Sequence, residues 1–310
     1  MSVRPLRSWL WLLFVAAAIV FLSVFSPPKT TLLREALLDA GHAPLFGVVA
    51  VALLRFLSPP GTCARRPYLR AWMLTVVLGA ATEGAQFFGP RDADPLDLAR
   101  NVAGATAFLL IAAVFDGQKR KRGPLIAAAF ALLGAASFPA AATAVDYLRR
   151  DAAFPILCDF ESAWTLRFAG VSDAEMDLVA PPAPCGPNGG NRTARVTLHP
   201  ATYPGFGIRE PYPDWTGYEE LALDVYSELP GDLLLELRIH DAVHDQTWAD
   251  RFNRTLVVHP GCNAVRVRLS DVRAAPRGRE MDMARIRGVV LFVDGLEEPR
   301  TLYLDSFRLE

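Results

Sequence analysis

Residues 125–145 read LIAAAFALLGAASFPAAATAV and residues 233–240 read LLLELRIH, and the change of rhythm between the two decides the fold. The first stretch carries no charge and approaches the roughly 20 apolar residues that cross a bilayer as a helix. The second alternates: Leu235, Leu237 and Ile239 fall on one side and Glu236, Arg238 and His240 on the other, the period of a half-buried strand. One chain therefore joins two architectures, an α-helical half followed by an all-β half.

Four more apolar runs precede the first stretch, at 9–25, 43–57, 71–88 and 96–115. Together they predict a transmembrane bundle of five helices over residues 1–150. Position 9 follows Arg4 and Arg7, and the run reads as an uncleaved anchor because Ser23-Val24-Phe25-Ser26-Pro27 is a poor cleavage site. Arg4 with Arg7, then Arg65, Arg66 and Arg70, then Lys119 to Arg122 occupy alternate loops. By the positive-inside rule these loops are cytoplasmic, so residues 151–310 are expected outside the cytoplasm, on a multi-pass protein of the bacterial cytoplasmic (inner) membrane. Small residues Ala99, Ala103 and Ala107, four apart, are expected to let the fourth helix pack closely.

Charge divides at the same place. Residues 1–150 hold 16 Lys and Arg against 8 Asp and Glu, net +8, whereas 151–310 hold 16 Arg against 25 acids, net −9. An acidic second half without lysine offers no basic stripe for counterion release, so nucleic acid is excluded as a partner and a neutral or cationic ligand fits better than a polyanion. Of four cysteines, Cys158, Cys185 and Cys262 lie in the second half, where an oxidising compartment permits a disulfide. Cys158 with Cys185 is the expected pair, against the alternative that the thiols simply stay buried. No cysteine has zinc-ligand spacing.

Charges inside apolar runs are costly, so their placement carries information. Glu83 and Gln86 lie near the outer end of the third helix, Asp97 and Asn101 near the outer start of the fourth, Arg91 between them, and His42 opens the second helix from the same side. Arg91 is suited to clamping a phosphate or carboxylate, and His42 with Glu83 or Asp97 to moving a proton. The plainer reading of Glu83, Gln86, Asp97 and Asn101 is hydrogen-bonded glue between helices.

The ordered set Glu83-x-x-Gln86, Arg91, Asp97-x-x-x-Asn101-x-x-Gly104, after Gly41-His42, resembles the VanZ-like membrane family over about residues 5–145. The resemblance implies a role in the bacterial envelope and, in the family's namesake, resistance to a glycopeptide antibiotic; it implies no established reaction. Where the family usually has a charged pair before the His, this chain has Asp39-Ala40-Gly41.

Beyond Cys158, short alternating stretches at 156–161, 194–198, 221–226, 233–240, 251–258, 264–269, 286–293 and 301–309 predict a jelly-roll β-sandwich. Residues 181–191 read as a Pro/Gly-rich loop and 203–218 as an aromatic-rich loop. Arg238 and His240 share a strand face, and Asp241, Trp248, Asp250, Arg251 and Asn253 follow beside it. Hydrogen-bonding side chains with an aromatic platform suit a sugar, though a solvated sheet face reads the same way.

Asp159-Phe160-Glu161 with Trp164, Asp214-Trp215-x-Gly217-Tyr218, Arg238-Ile239-x-Asp241, Asp250-Arg251-Phe252-Asn253, Pro260-Gly261-x-Asn263 and Leu302-Tyr303-Leu304-Asp305 together resemble galactose-binding-like sandwiches, including carbohydrate-binding modules, over about 155–310. The resemblance implies a structural calcium where first and last strands meet, near Glu161 and Asp305, and otherwise no cofactor. Cys262 stands where such modules usually have an aromatic after Pro-Gly, which removes a stacking side chain.

The expectation is an envelope protein in the lipid bilayer that binds a glycan or a lipid-linked envelope component. The rival is a membrane enzyme acting on a lipid-linked precursor through His42, Glu83 or Asp97, although no nucleophile elbow, P-loop or dinucleotide fingerprint names a reaction. A third reading makes the sandwich an assembly module for another envelope protein. Oligomeric state is not readable.

Overall fold

The computed structural model describes residues 31–58, 61–62, 64–86, 95–117, 121–182 and 191–310, with positions 10, 11, 13, 15 and 17, and of residues 85 and 86 the backbone alone. The chain forms two compact units, Met1–Val145 and Asp146–Glu310.

In the first unit, α1 (Leu32–Ala40) starts at Thr31, whose Oγ1 accepts from the Arg34 amide at 3.1 Å. α2 (His42–Leu57), α3 (Arg65–Gln86), α4 (Pro95–Phe115) and α5 (Arg122–Ala153) follow. Three helical stretches are long and apolar enough to cross a membrane by length and composition: Leu32–Leu57, Pro95–Phe115 and Arg122–Ala153. α3 is as long as α4, but Arg65, Arg66 and Arg70 fill its first turns and Glu83 its last, which lowers its apolarity below theirs. Most of the expected first span lies outside the described residues.

α2 and α4 meet at glycine. A Cβ built on Gly104 would stand 1.8 Å from the Ala43 carbonyl oxygen, and one on Gly47 would stand 2.4 Å from the Phe108 ring. The close seam thus runs through Asn101, Gly104 and Phe108, one position away from the expected row of alanines. Ala99 is exposed. The opposite end of the same pair is tied by Asp116, which accepts from Arg55 Nη1 at 2.7 Å, the Tyr68 hydroxyl at 2.6 Å and the Gly61 amide at 2.8 Å.

α5 does not end with its apolar run at Val145. No glycine or proline interrupts residues 146–153, and they remain helical for two more turns. Within the second unit, Asp146 accepts from Arg167 Nε at 2.6 Å, and Tyr147 donates to Glu210.

The second unit is a sandwich of two antiparallel sheets. One has the order β3 (Ala174–Val179), β4 (Thr193–Leu198), β11 (Arg300–Leu309), β6 (Glu220–Ser227) and β9 (Gly261–Arg268), with β1 (Ile156–Cys158) also on β11. The other has the order β2 (Ala169–Ser172), β5 (Gly205–Arg209), β10 (Ile286–Phe292), β7 (Leu233–Asp241) and β8 (Phe252–Val258). Alternation works as anticipated: Leu235, Leu237 and Ile239 are buried against Leu221, Leu223 and Val225 of the facing sheet. Phe160, Phe206 and Phe307 form an aromatic cluster in the middle, with ring centroids 5.7 to 6.2 Å apart. Trp215 is buried and its Nε1 donates to the Tyr212 carbonyl at 2.8 Å, which satisfies its one polar atom.

Three strands were not anticipated. β2 and β3 lie where no periodicity was read, and β5 falls inside the segment expected to be an aromatic loop. The Pro/Gly-rich loop lies largely outside the described residues. The cysteine pairing needs correction: Cys158 is a free, buried thiol, and Cys262 is the disulfide-bonded one. Cys185 lies outside the described residues. Cys158 sits on β1 under the core, where burial pushes its thiol up to about 12. Iodoacetamide at a pH near 8 should therefore leave Cys158 unmodified in the folded protein and modify it after denaturation, as mass spectrometry of the peptide would show. Rapid labelling of native protein would refute the burial.

Candidate functional site

The outward face of the five-stranded sheet is built in rows set by strand register. One row crosses Gly170, Gly207, Val290, Arg238 and Asn253. Its neighbour crosses Arg209, Gly288 and His240, and Arg251 immediately precedes β8 beside it. A third crosses Ser172, Gly205, Phe292, Glu236 and Thr255. The glycines make a floor without side chains. A Cβ on Gly170 would lie 2.8 Å from the Arg209 guanidinium, and one on Gly288 2.6 Å from the His240 ring. Glycine at these two places therefore lets Arg209 and His240 lie across the sheet rather than stand off it.

Two polar atoms of this face, Arg238 Nε and His240 Nδ1, are buried without a hydrogen bond among the described residues. Arg238 donates from Nη2 to Gln246 Oε1 at 3.4 Å. Burial, and then the positive charge of Arg238, push His240 down to about 4, so the ring is neutral at neutral pH. Arg251 Nε donates to Asn253 Oδ1 at 2.7 Å, and Asn253 Nδ2 donates to the Trp248 carbonyl at 3.0 Å. Asn253 thus holds both Arg251 and the turn that presents Trp248, whose side chain is 64% exposed. Tyr203, also exposed, packs edge-on against Phe292 at 5.7 Å.

Asp241 and Asp250 have a different task from the ligand contact expected of them. Arg279 bridges them, donating to Asp241 Oδ2 at 2.5 Å and Oδ1 at 3.0 Å and to Asp250 Oδ1 at 2.5 Å. The Asp282 amide adds a bond to Asp241 Oδ2 at 2.8 Å. Burial alone would raise the Asp241 carboxyl, but these donors more than offset it and hold it below the usual range. The pair pins the 241–253 segment to the loop before β10. His244, Asp245 and Asp250 also lie within 4.8 Å of one another through their ligand atoms, but Asp250 is already bonded to Arg279.

Glu161 accepts from the Arg192 amide at 2.9 Å and Asp305 from the Ser306 amide at 2.7 Å. Among the described residues no third histidine, cysteine or acid joins them within ligand distance.

In the first unit His42, Glu83, Asp97 and Asn101 come together, all buried. His42 Nδ1 lies 3.1 Å from Asn101 Oδ1, and His42 Nε2 lies 3.6 Å from Asp97 Oδ2. Ligand atoms of His42, Glu83 and Asp97 are all within 4.8 Å of one another, near enough to share a proton or a cation. Arg100 bonds Asp97 and stands 3.9 Å from Asp39, so the Asp39 that departs from the family pattern is tied to the cluster through it. The Gln86 side chain and Arg91 lie outside the described residues.

Sequence reasoning missed Arg209, Arg279 and the glycine floor. The signal for the floor was present, because Gly205-Phe206-Gly207-Ile208-Arg209 alternates with period two and puts both glycines on one face.

No family model matches the chain. No curated protein matches it either. Solved structures similar to it include a family 11 carbohydrate-binding module from Clostridium thermocellum in complex with a β-1,3-1,4-mixed-linked tetrasaccharide, at 13% identity over 50% of this chain and 93% of that one, TM-score 0.40. An exo-β-agarase is similar at 17% identity over 50% of this chain and 25% of that one, TM-score 0.40. A family 30 carbohydrate-binding module of a Clostridium thermocellum cellulosomal cellulase is similar at 12% identity over 46% and 90%, TM-score 0.33. The resemblance to the VanZ-like family therefore rests on the residues quoted for it.

Proposed function

We propose that the chain is a bacterial envelope protein whose sandwich binds a saccharide on the outward face of its five-stranded sheet. One observation carries this reading: glycines in the sheet let Arg209 and His240 lie across it beside Arg238, and among the described residues Arg238 Nε and His240 Nδ1 have no hydrogen-bond partner. The rest of these two side chains, with Arg251 beside them, supplies the hydrogen-bonding groups that hydroxyls of a bound sugar would meet. Trp248 and Tyr203 offer exposed aromatic faces beside them for the apolar side of a ring.

The first unit is proposed as the anchor, five crossings with the N-terminus inside and the sandwich outside. The basic residues of alternate loops and the three long apolar helical stretches support it. On that topology the His42, Glu83, Asp97 and Asn101 cluster belongs to the outer leaflet, where with Arg91 it would receive the headgroup of a lipid-linked envelope component. Membership of the VanZ-like family would extend this to glycopeptide resistance, which a deletion strain's antibiotic susceptibility tests.

The saccharide reading is tested with the full-length protein in detergent on a glycan array. Binding is expected, and Trp248→Ala should weaken it about tenfold, in line with the loss of one aromatic stacking contact. Absence of any saccharide binding, or a Trp248→Ala variant that binds as wild type does, refutes the assignment of this face.

A further inference from the structure

The outward face has a sign that the acidic unit as a whole conceals. Its two central rows present Arg209, Arg238, Arg251 and His240, and no carboxylate. The acid of the third row, Glu236, accepts from Thr255 Oγ1 at 2.6 Å. On the opposite sheet Asp177 pairs with Arg195, Glu220 and Glu310 with Arg266, and Asp224 with Arg308.

Among the described residues the two best-placed guanidiniums bond neutral side-chain amides and no acid, Arg238 to Gln246 and Arg251 to Asn253. Burial, and then the charge of Arg251, hold the Arg238 guanidinium below its ordinary value, and burial does the same for Arg251. Two like charges are thus kept close and partly desolvated without an anion between them. Such an arrangement costs stability in the free protein and is relieved by a ligand that brings the negative charge. Arginine forks fit carboxylate and sulfate oxygens in pairs, while the neutral His240 ring serves as donor or acceptor to a hydroxyl.

We infer that the saccharide taken on this face is acidic, carrying a ring carboxylate or sulfate that sits between Arg238 and Arg251. This rests on the saccharide reading above and replaces the neutral or cationic ligand that net charge alone suggested. The chemical class is an oligosaccharide of uronic or sulfated sugars. Arg209, over Gly170, would meet the next charged ring along the floor.

The experiment measures binding of full-length protein in detergent to oligogalacturonate, to the same oligomer with its carboxyls methyl-esterified, to a sulfated oligosaccharide and to a neutral mixed-linked glucan oligomer. An acidic oligomer should bind at least about tenfold tighter than the ester, and the preference should shrink as salt rises from about 50 to about 500 mM. Arg238→Gln and Arg251→Gln should each abolish the preference without lowering the unfolding midpoint, since neither leaves an acid unpaired and each removes one of two like charges. Preference for the sulfated oligomer alone supports the inference with sulfate as the group. Equal binding of acid, ester and sulfated oligomers overturns the charge inference and leaves the saccharide reading standing. Binding of none of the four overturns both.

Discussion

Gly104→Leu is expected to abolish stable packing of the helical unit, whereas Gly134→Leu leaves it unchanged. Even the first atom of a side chain at Gly104 would sit 1.8 Å from the Ala43 carbonyl oxygen, which is backbone and has no rotamer to give. At Gly134 a Cβ meets nothing within 4 Å. Overpacking a tight seam costs about 1 to 3 kcal/mol, and contact with main chain puts this case at the upper end or beyond. The effect reaches the polar cluster, because Ala43 is the neighbour of His42. Moving α2 off α4 pulls the His42 ring from Asn101, at 3.1 Å, and from Asp97, at 3.6 Å. The check is the thermal midpoint of the purified variants in detergent, followed by size-exclusion chromatography. Two variants that melt together would show that α2 and α4 do not approach closely.

Both architectures were legible because their signals are one-dimensional. A long uncharged run such as 125–145 and an alternation such as 233–240 each name an element without reference to anything distant. The outward and inward faces of β7 followed directly. What stayed hidden depends on neighbours brought together by register. Gly170, Gly207 and Gly288 belong to three strands far apart in sequence, and only pairing lines them up as a floor. Arg279 lies 38 residues beyond Asp241, in a stretch with no periodicity, so its bond to that carboxylate left no local trace. Net charge misled for a related reason. It sums the whole unit, while the two central rows of one sheet face carry arginines and no carboxylate. Cys158 was expected in a disulfide from compartment alone, which says that a bond is permitted and nothing about which thiol the core buries.

Arg279→Met is expected to destabilise the sandwich by about 2 to 3 kcal/mol, because it strands a buried carboxylate. The Asp241 side chain has 0% exposure, and of the donors to its carboxylate Arg279 supplies the only positive charge among the described residues. Removing one member of a buried pair costs more than the pair contributes; Arg279 is 27% exposed, so water can partly replace it and the low end of the usual range applies. For a unit of this size the melting midpoint should fall by roughly 5 to 10 °C. Adding Asp241→Asn should recover part of the loss, since the amide carries no charge to strand. The acid limb gives an independent reading. The hydrogen bond from Arg279, then the Asp245 amide, hold Asp250 down at about 2, against an ordinary value of 3.8. A lowered carboxyl contributes stability that is fully present above its ordinary value and is lost as pH falls through its folded value. Wild-type protein should therefore lose stability between about pH 4 and pH 2, and the variant should lose less over that window. Because Asp250 and Asn253 border the turn carrying Trp248, the variant should also bind saccharide more weakly at neutral pH. Differential scanning fluorimetry across pH decides the matter: a variant within a degree or so of wild type at neutral pH, with the same acid profile, would mean that Arg279 holds nothing in place.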